Sequence, residues 1–143
     1  MKILAIKSSG ERTGISLMLN DEINSFTMDH DRKDRPNWDM FLDNIGHKKI
    51  FNLSEIDLFA FENNQNSFTA TRITASFLKG IATALKKPLI SIEDNSENNL
   101  DVEELVIIAK DKFLSDEDAY KRFDPKNVNP TYEEDIKFRK LNE

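Results

Sequence analysis

Leu58-Phe59-Ala60-Phe61, followed after a polar break by Asn66-Ser67-Phe68-Thr69-Ala70-Thr71-Arg72-Ile73, is the stretch that decides the fold. Four apolar residues in a row suit a central strand covered on both faces. Asn63-Asn64-Gln65-Asn66 interrupts the run, a capped helix start follows, and the helix is predicted over 68–86. Pro88 ends that helix before a strand at 89–92.

Upstream, residues 2–7 read as a buried strand and Ser8-Ser9-Gly10-Glu11-Arg12-Thr13-Gly14 as a turn into a second strand at 15–19. Ile23, Phe26 and Met28 supply a third strand, so three antiparallel strands open the chain. A charged loop over 29–35 leads to Pro36, predicted in the first turn of a helix that puts Trp38, Phe41, Leu42 and Ile45 on one face. Downstream, Glu93 to Asp101 is polar, and Val102, Leu105, Val106, Ile108, Ala109 and Phe113 have helical spacing. The order strand, strand, strand, helix, strand, helix, strand predicts an α/β fold with a mixed five-stranded sheet. This is the core of ribonuclease-H-like and actin-like (ASKHA) lobes, here followed by a C-terminal helical segment. One domain is expected over 1–143, with a core lobe at 1–95 and a helix and tail at 96–143.

The 143 residues contain no cysteine, which removes disulfides, thiolate metal sites and cysteine nucleophiles. A net charge of −6 disfavours a chain that grips nucleic acid alone, so RNA would be met only within a complex. The opening lacks a leader pattern and no long apolar run exists, from which a cytoplasmic location without membrane contact is expected.

On a wheel of 100° per residue, Ala70, Ile73, Thr74, Phe77, Leu78, Gly80, Ile81, Ala84 and Leu85 are predicted to face the sheet. The remaining side carries small residues at Thr71, Ala75 and Ala82 and cations at Arg72, Lys79 and Lys86. Such a face is either a solvated surface or one that a second helix approaches closely.

Four segments together resemble the bacterial TsaB (YeaZ) family: Ile3-Leu4-Ala5-Ile6; Ser67-Phe68-Thr69 with Arg72-Ile73; Lys87-Pro88-Leu89-Ile90-Ser91-Ile92; and Pro130-Thr131-Tyr132 with Phe138-Arg139-Lys140-Leu141. The resemblance implies a noncatalytic scaffold and activator of a TsaD-like partner, in the complex that forms N6-threonylcarbamoyladenosine on tRNA, with a TsaE-like ATPase joining. It implies pairing through the first two long helices, with a heterologous partner or a second copy. The implied interface is Thr71, Arg72, Ala75, Lys79, Ala82 and Lys86, with Met40 and Asn44 from the first helix.

The sequence departs from the family where phosphate or metal chemistry would lie. Lys7 stands where the family has an aspartate, and an ammonium coordinates no metal. Asn64-Gln65-Asn66 replaces Gly-Pro-Gly, Ala70 replaces a glycine, and most of the second lobe is expected to be missing. No catalytic residue, metal ligand or cofactor is therefore expected. A two-metal nuclease would need a carboxylate at Lys7 to accompany Glu62, and neither Asp57 nor Glu11 is placed to replace it. Glu62 is expected to be solvated at a strand end, Lys7 to extend into water, Ser8 and Ser9 to close the hairpin, and His47 to meet a helix dipole. His30 is placed in a charged loop, and Ser115-Asp116-Glu117-Asp118 at a helix start. An actin-like ATPase or kinase remnant and a self-associating structural module remain the alternatives.

Overall fold

β1 (Lys2–Ser8) is the middle strand of a five-stranded sheet in a computed structural model that describes residues 1–31, 36–64, 67–94 and 100–128. It pairs antiparallel with β2 (Arg12–Leu19), which pairs antiparallel with β3 (Glu22–Asp29). On its other side it runs parallel to β4 (Leu58–Asn64), and β4 runs parallel to β5 (Leu89–Asp94). The sheet order is β3-β2-β1-β4-β5, with crossover helices returning the chain to each parallel strand, as the order of elements predicts.

The apolar runs of β1 and β4 are continuous because both sheet faces are covered. Leu4, Ile6, Phe59 and Phe61 point to the face packed by α1 (Trp38–Asn44) and α2 (Phe68–Leu85). Ile3, Ala5, Leu58 and Ala60 point to the face packed by α3 (Val102–Leu114), through Leu105, Val106, Ala109 and Phe113. Alternation along each strand thus feeds two separate cores. A short α4 (Ala119–Arg122) and two 3-10 turns, Leu53–Glu55 and Pro125–Asn127, complete the described chain. The expected C-terminal motif from Pro130 to Leu141 lies outside the described residues, as do Asn66 and the loop at 32–35.

Helix boundaries differ in detail from the sequence reading. Pro36 precedes α1 instead of sitting in its first turn, and Asn37 caps the helix by accepting from the Met40 amide at 3.2 Å. Ser67 flanks α2 without capping it, and its hydroxyl donates to the Ser9 carbonyl instead, at 3.1 Å.

The rotation of α2 about its axis is the main correction. Ala70, Thr71, Thr74, Ala75, Leu78 and Ala82 are its buried residues, whereas Gly80 and Ala84 are exposed. Small side chains let the helix lie close to the sheet, so the large Phe77, Ile81 and Leu85 pack at its flank and Ile73 is only half-buried. There Trp38 of α1 stacks on Phe77 with ring centres 4.6 Å apart and planes 9° apart. Periodicity locates an apolar arc but weights bulk over closeness of approach, and this misdirected the reading by roughly one position on the wheel.

Two substitutions on this helix report its orientation. A Cβ added at Gly80 meets nothing within 4 Å, so Gly80→Ala is expected to stabilise the protein by ~0.5–1 kcal/mol. Ala82 is 0% exposed, so Ala82→Leu is expected to cost ~1–3 kcal/mol. Urea unfolding of both variants checks the order; the opposite signs would restore the orientation read from periodicity.

Candidate functional site

Where β1 and β4 run out of apolar residues, the next residue of each is charged. The register pairs Ile6 with Phe61, so Lys7 and Glu62 emerge side by side on the α3 face of the sheet. The Lys7 ammonium lies 3.4 Å from Glu62 Oε2, with side-chain exposures of 22% and 0%. It also donates to the Leu100 carbonyl, just ahead of α3. Both sequence expectations for this pair are overturned: Glu62 is buried and Lys7 is engaged. The reason is α3, which covers the strand ends and excludes the water that would otherwise solvate the carboxylate.

Lys7 forms one wall of a cleft of about 650 Å³ between the β1–β2 hairpin, β3 and the first turn of α3. Its charged rim is balanced, with Lys7 and Arg12 facing Asp101 and Glu103. Arg12 Nε donates to Asp29 Oδ1 at 2.6 Å. This hydrogen bond and the accompanying attraction hold the Arg12 pKa above its ordinary value and the Asp29 pKa below the usual carboxylate value. Both side chains are largely exposed, so the pair contributes little to stability. Glu103 accepts from the Ser25 hydroxyl at 2.7 Å.

Beside the cleft, the hydroxyls of Ser8 and Thr13 lie 2.8 Å apart, and Thr13 Oγ1 lies 2.7 Å from His30 Nε2. Thr13 thus separates the imidazole from Ser8, and no serine is placed directly against a histidine base by this chain of contacts. Ser9 accepts from the Arg12 amide at 3.3 Å, closing the hairpin as expected. His47 lies just beyond the C-terminal end of α1, where its amide donates to the Leu42 carbonyl at 3.0 Å and its ring packs on Phe51 with centres 5.4 Å apart. Among the described residues, no three His, Asp or Glu come together in a way that could hold a metal ion.

The residues expected at a partner interface separate into two groups. Thr71, Ala75 and Ala82 are buried at 3%, 3% and 0% exposure, so they are unavailable to a second helix. Thr71 is further tied to β4, its hydroxyl donating to the Asn64 carbonyl and accepting from the Asn64 amide at 3.2 Å each. Lys79 donates to the Val128 carbonyl at 3.0 Å, which pins the second 3-10 turn against α2. Arg72 and Lys86 are exposed, Met40 is half-buried, and Asn44 is exposed with its amide donating to the Met40 carbonyl at 2.8 Å. The small, accessible positions are Ser76, Gly80 and Ala84, spaced four apart along one edge of α2; of these the helical wheel leaves Ser76 off the sheet-facing arc and places Gly80 and Ala84 on it. That spacing was present in the sequence and was masked by the assignment of Gly80 and Ala84 to the core.

The Lys7–Glu62 pair carries a measurable consequence. Lys7→Met removes the cation 3.4 Å from a fully buried carboxylate and is expected to destabilise the fold by about 3 kcal/mol or more. Lys7→Met with Glu62→Leu replaces the pair by apolar groups and is expected to recover most of that loss. Denaturant midpoints of the single and double variants decide it.

No family model matches the sequence, and no curated protein matches it. Among solved structures, YeaZ from Pseudomonas aeruginosa superposes with a TM-score of 0.60 at 24% identity, over 65% of this chain and 44% of that one. A second structure is described as an uncharacterized protein with similarity to peptidase YEAZ from Pseudomonas aeruginosa. It superposes with a TM-score of 0.55 at 26% identity, over 65% of this chain and 43% of that one. This chain thus spans less than half the length of either neighbour. With its mixed five-stranded sheet flanked by helices, the chain is a YeaZ-like protein in fold, corresponding to a single lobe of that architecture.

Proposed function

We propose that this protein is a noncatalytic scaffold that docks a TsaD-like enzyme and supports threonylcarbamoyl transfer to adenosine in tRNA. The reading rests on the likeness to YeaZ structures together with one local observation, the outer edge of α2. Ile73, Phe77, Ile81 and Leu85 are only partly buried there, beside the exposed Ser76, Gly80 and Ala84. Open space above Gly80 would let another helix backbone approach closely, and the neighbouring apolar side chains would supply the buried area. Arg72 at the start of this edge and Asn44 on α1 lie at positions suited to a polar rim. The interface is accordingly redrawn from Thr71, Ala75 and Ala82 to Ser76, Gly80 and Ala84.

The Lys7–Glu62 pair supports the noncatalytic part of the reading. Metal-assisted phosphate chemistry in such a fold would use cations held between carboxylates at the ends of the first and fourth strands, and here Lys7 stands near the end of the first strand beside Glu62 of the fourth. Here a covalently attached ammonium takes that electrostatic role, and it brings no Lewis acidity and no activated water. In this proposal chemistry resides in the partner, a TsaE-like ATPase joins the complex, tRNA is modified only there, and the setting is cytoplasmic. The same helix edge would serve a homodimer when the partner is absent. Among the described residues, no helix is long and apolar enough to cross a membrane.

Gly80→Glu combined with Ala84→Glu places bulky acids on an exposed edge without touching either core. Co-expression with the TsaD-like protein of the same organism, followed by size exclusion, is expected to show loss of the complex, with affinity lowered about tenfold or more. The modified nucleoside should fall in parallel. Unchanged co-elution of the double variant would remove the proposed interface, and normal tRNA modification in a deletion strain would remove the function.

A further inference from the structure

The C-terminal end of α2, the start of β5 and the segment from α4 to the second 3-10 turn enclose a notch of about 380 Å³, away from both the Lys7 cleft and the outer edge of α2. Pro88 and Pro125, both buried, line it, and its rim carries Lys86, Lys87, Lys126 and Tyr120. Three cations therefore meet one acid, Asp124, in a chain whose net charge is −6. Asp124 is itself committed, accepting from the Lys126 amide at 2.9 Å to cap the 3-10 turn.

The notch is built on fixed backbone. Lys86 holds the left-handed cap of α2 at φ 56° and ψ 47°, with its amide bonded to the carbonyls of Ala82 and Thr83. The Leu89 amide donates to the Phe123 carbonyl at 2.9 Å, which ties α4 to β5 across the notch. Tyr120 is 73% exposed, yet its ring is set edge-on against Phe113 at 5.1 Å and 87°. A planar aromatic group held in water beside three ammonium groups matches a ligand that carries an anion next to a flat ring. Nucleoside phosphates have that pairing: the base stacks on the aromatic side chain and the phosphate meets the lysines. The volume lies within the ordinary range for a small-ligand site.

We propose that this notch binds a nucleoside phosphate, supplied either as a free nucleotide or as one unit of a single-stranded RNA. The inference stands on the notch alone and does not depend on the scaffold function. The probes are a fluorescein-labelled oligoadenylate, AMP and inorganic phosphate, titrated into the full chain at low salt, with circular dichroism confirming that each variant is folded. Saturable oligoadenylate or AMP binding is expected, weakened about tenfold by Lys86→Glu with Lys126→Glu and about fivefold by Tyr120→Ala. Lys49→Glu, in the loop after α1 and not among the residues that line the notch, should leave binding unchanged. Displacement of the oligonucleotide by AMP at matching concentrations would identify the free nucleotide as the source, and failure of AMP to displace it would identify the strand. Absence of saturable binding by both would overturn the proposal. So would equal binding by the lysine-reversal variant, or displacement by inorganic phosphate alone with Tyr120→Ala unaffected.

Discussion

The parallel pairing of β1 with β4 is the constraint on which the other features depend. Its register sets Ile3 beside Leu58, Leu4 beside Phe59, Ala5 beside Ala60 and Ile6 beside Phe61. Because side chains alternate, those pairs divide between the α1 and α2 face and the α3 face, and a slip of one residue would send each set to the wrong core. The same register carries one step further and brings Lys7 to Glu62. A buried carboxylate at that depth requires a compensating positive charge, and the strand order supplies it from the neighbouring strand instead of from solvent or an ion.

Closeness of approach governs α2. Its sheet-facing line of Ala70, Thr71, Thr74, Ala75, Leu78 and Ala82 brings the helix backbone near β1 and β4. Thr71 is buried without penalty to its hydroxyl because the Asn64 backbone both gives and receives a hydrogen bond there. The larger Phe77 and its neighbours are displaced to the flank, where α1 covers part of them through Trp38. This division leaves an edge of the helix that is apolar, small and accessible at once. The packing that completes the core therefore also creates the surface on which a partner is proposed to sit.

Much of the architecture was legible before the structure. The apolar run at Leu58 to Phe61, the turn chemistry around Gly10 and the helix-ending Pro88 together imply the strand and helix order. The helical spacing of Val102 to Phe113 likewise gave α3 correctly. The family resemblance is matched by the shape of YeaZ structures. What misled was local reasoning about charge. Glu62 and Lys7 each look like ordinary strand-end residues, and only their being one step beyond a shared apolar run hinted that they would meet.

The sequence by itself determined which segments are strands and helices, because alternation, helical periodicity and turn residues act over a few neighbouring positions. Tertiary structure decided which side of α2 lies on the sheet, and that Lys7 neutralises Glu62 under the cover of α3. It also gathered Lys86, Lys87, Lys126 and Tyr120 around one notch. Those outcomes depend on distances between residues far apart in the chain, and on how much water the intervening helices exclude, neither of which a local pattern encodes.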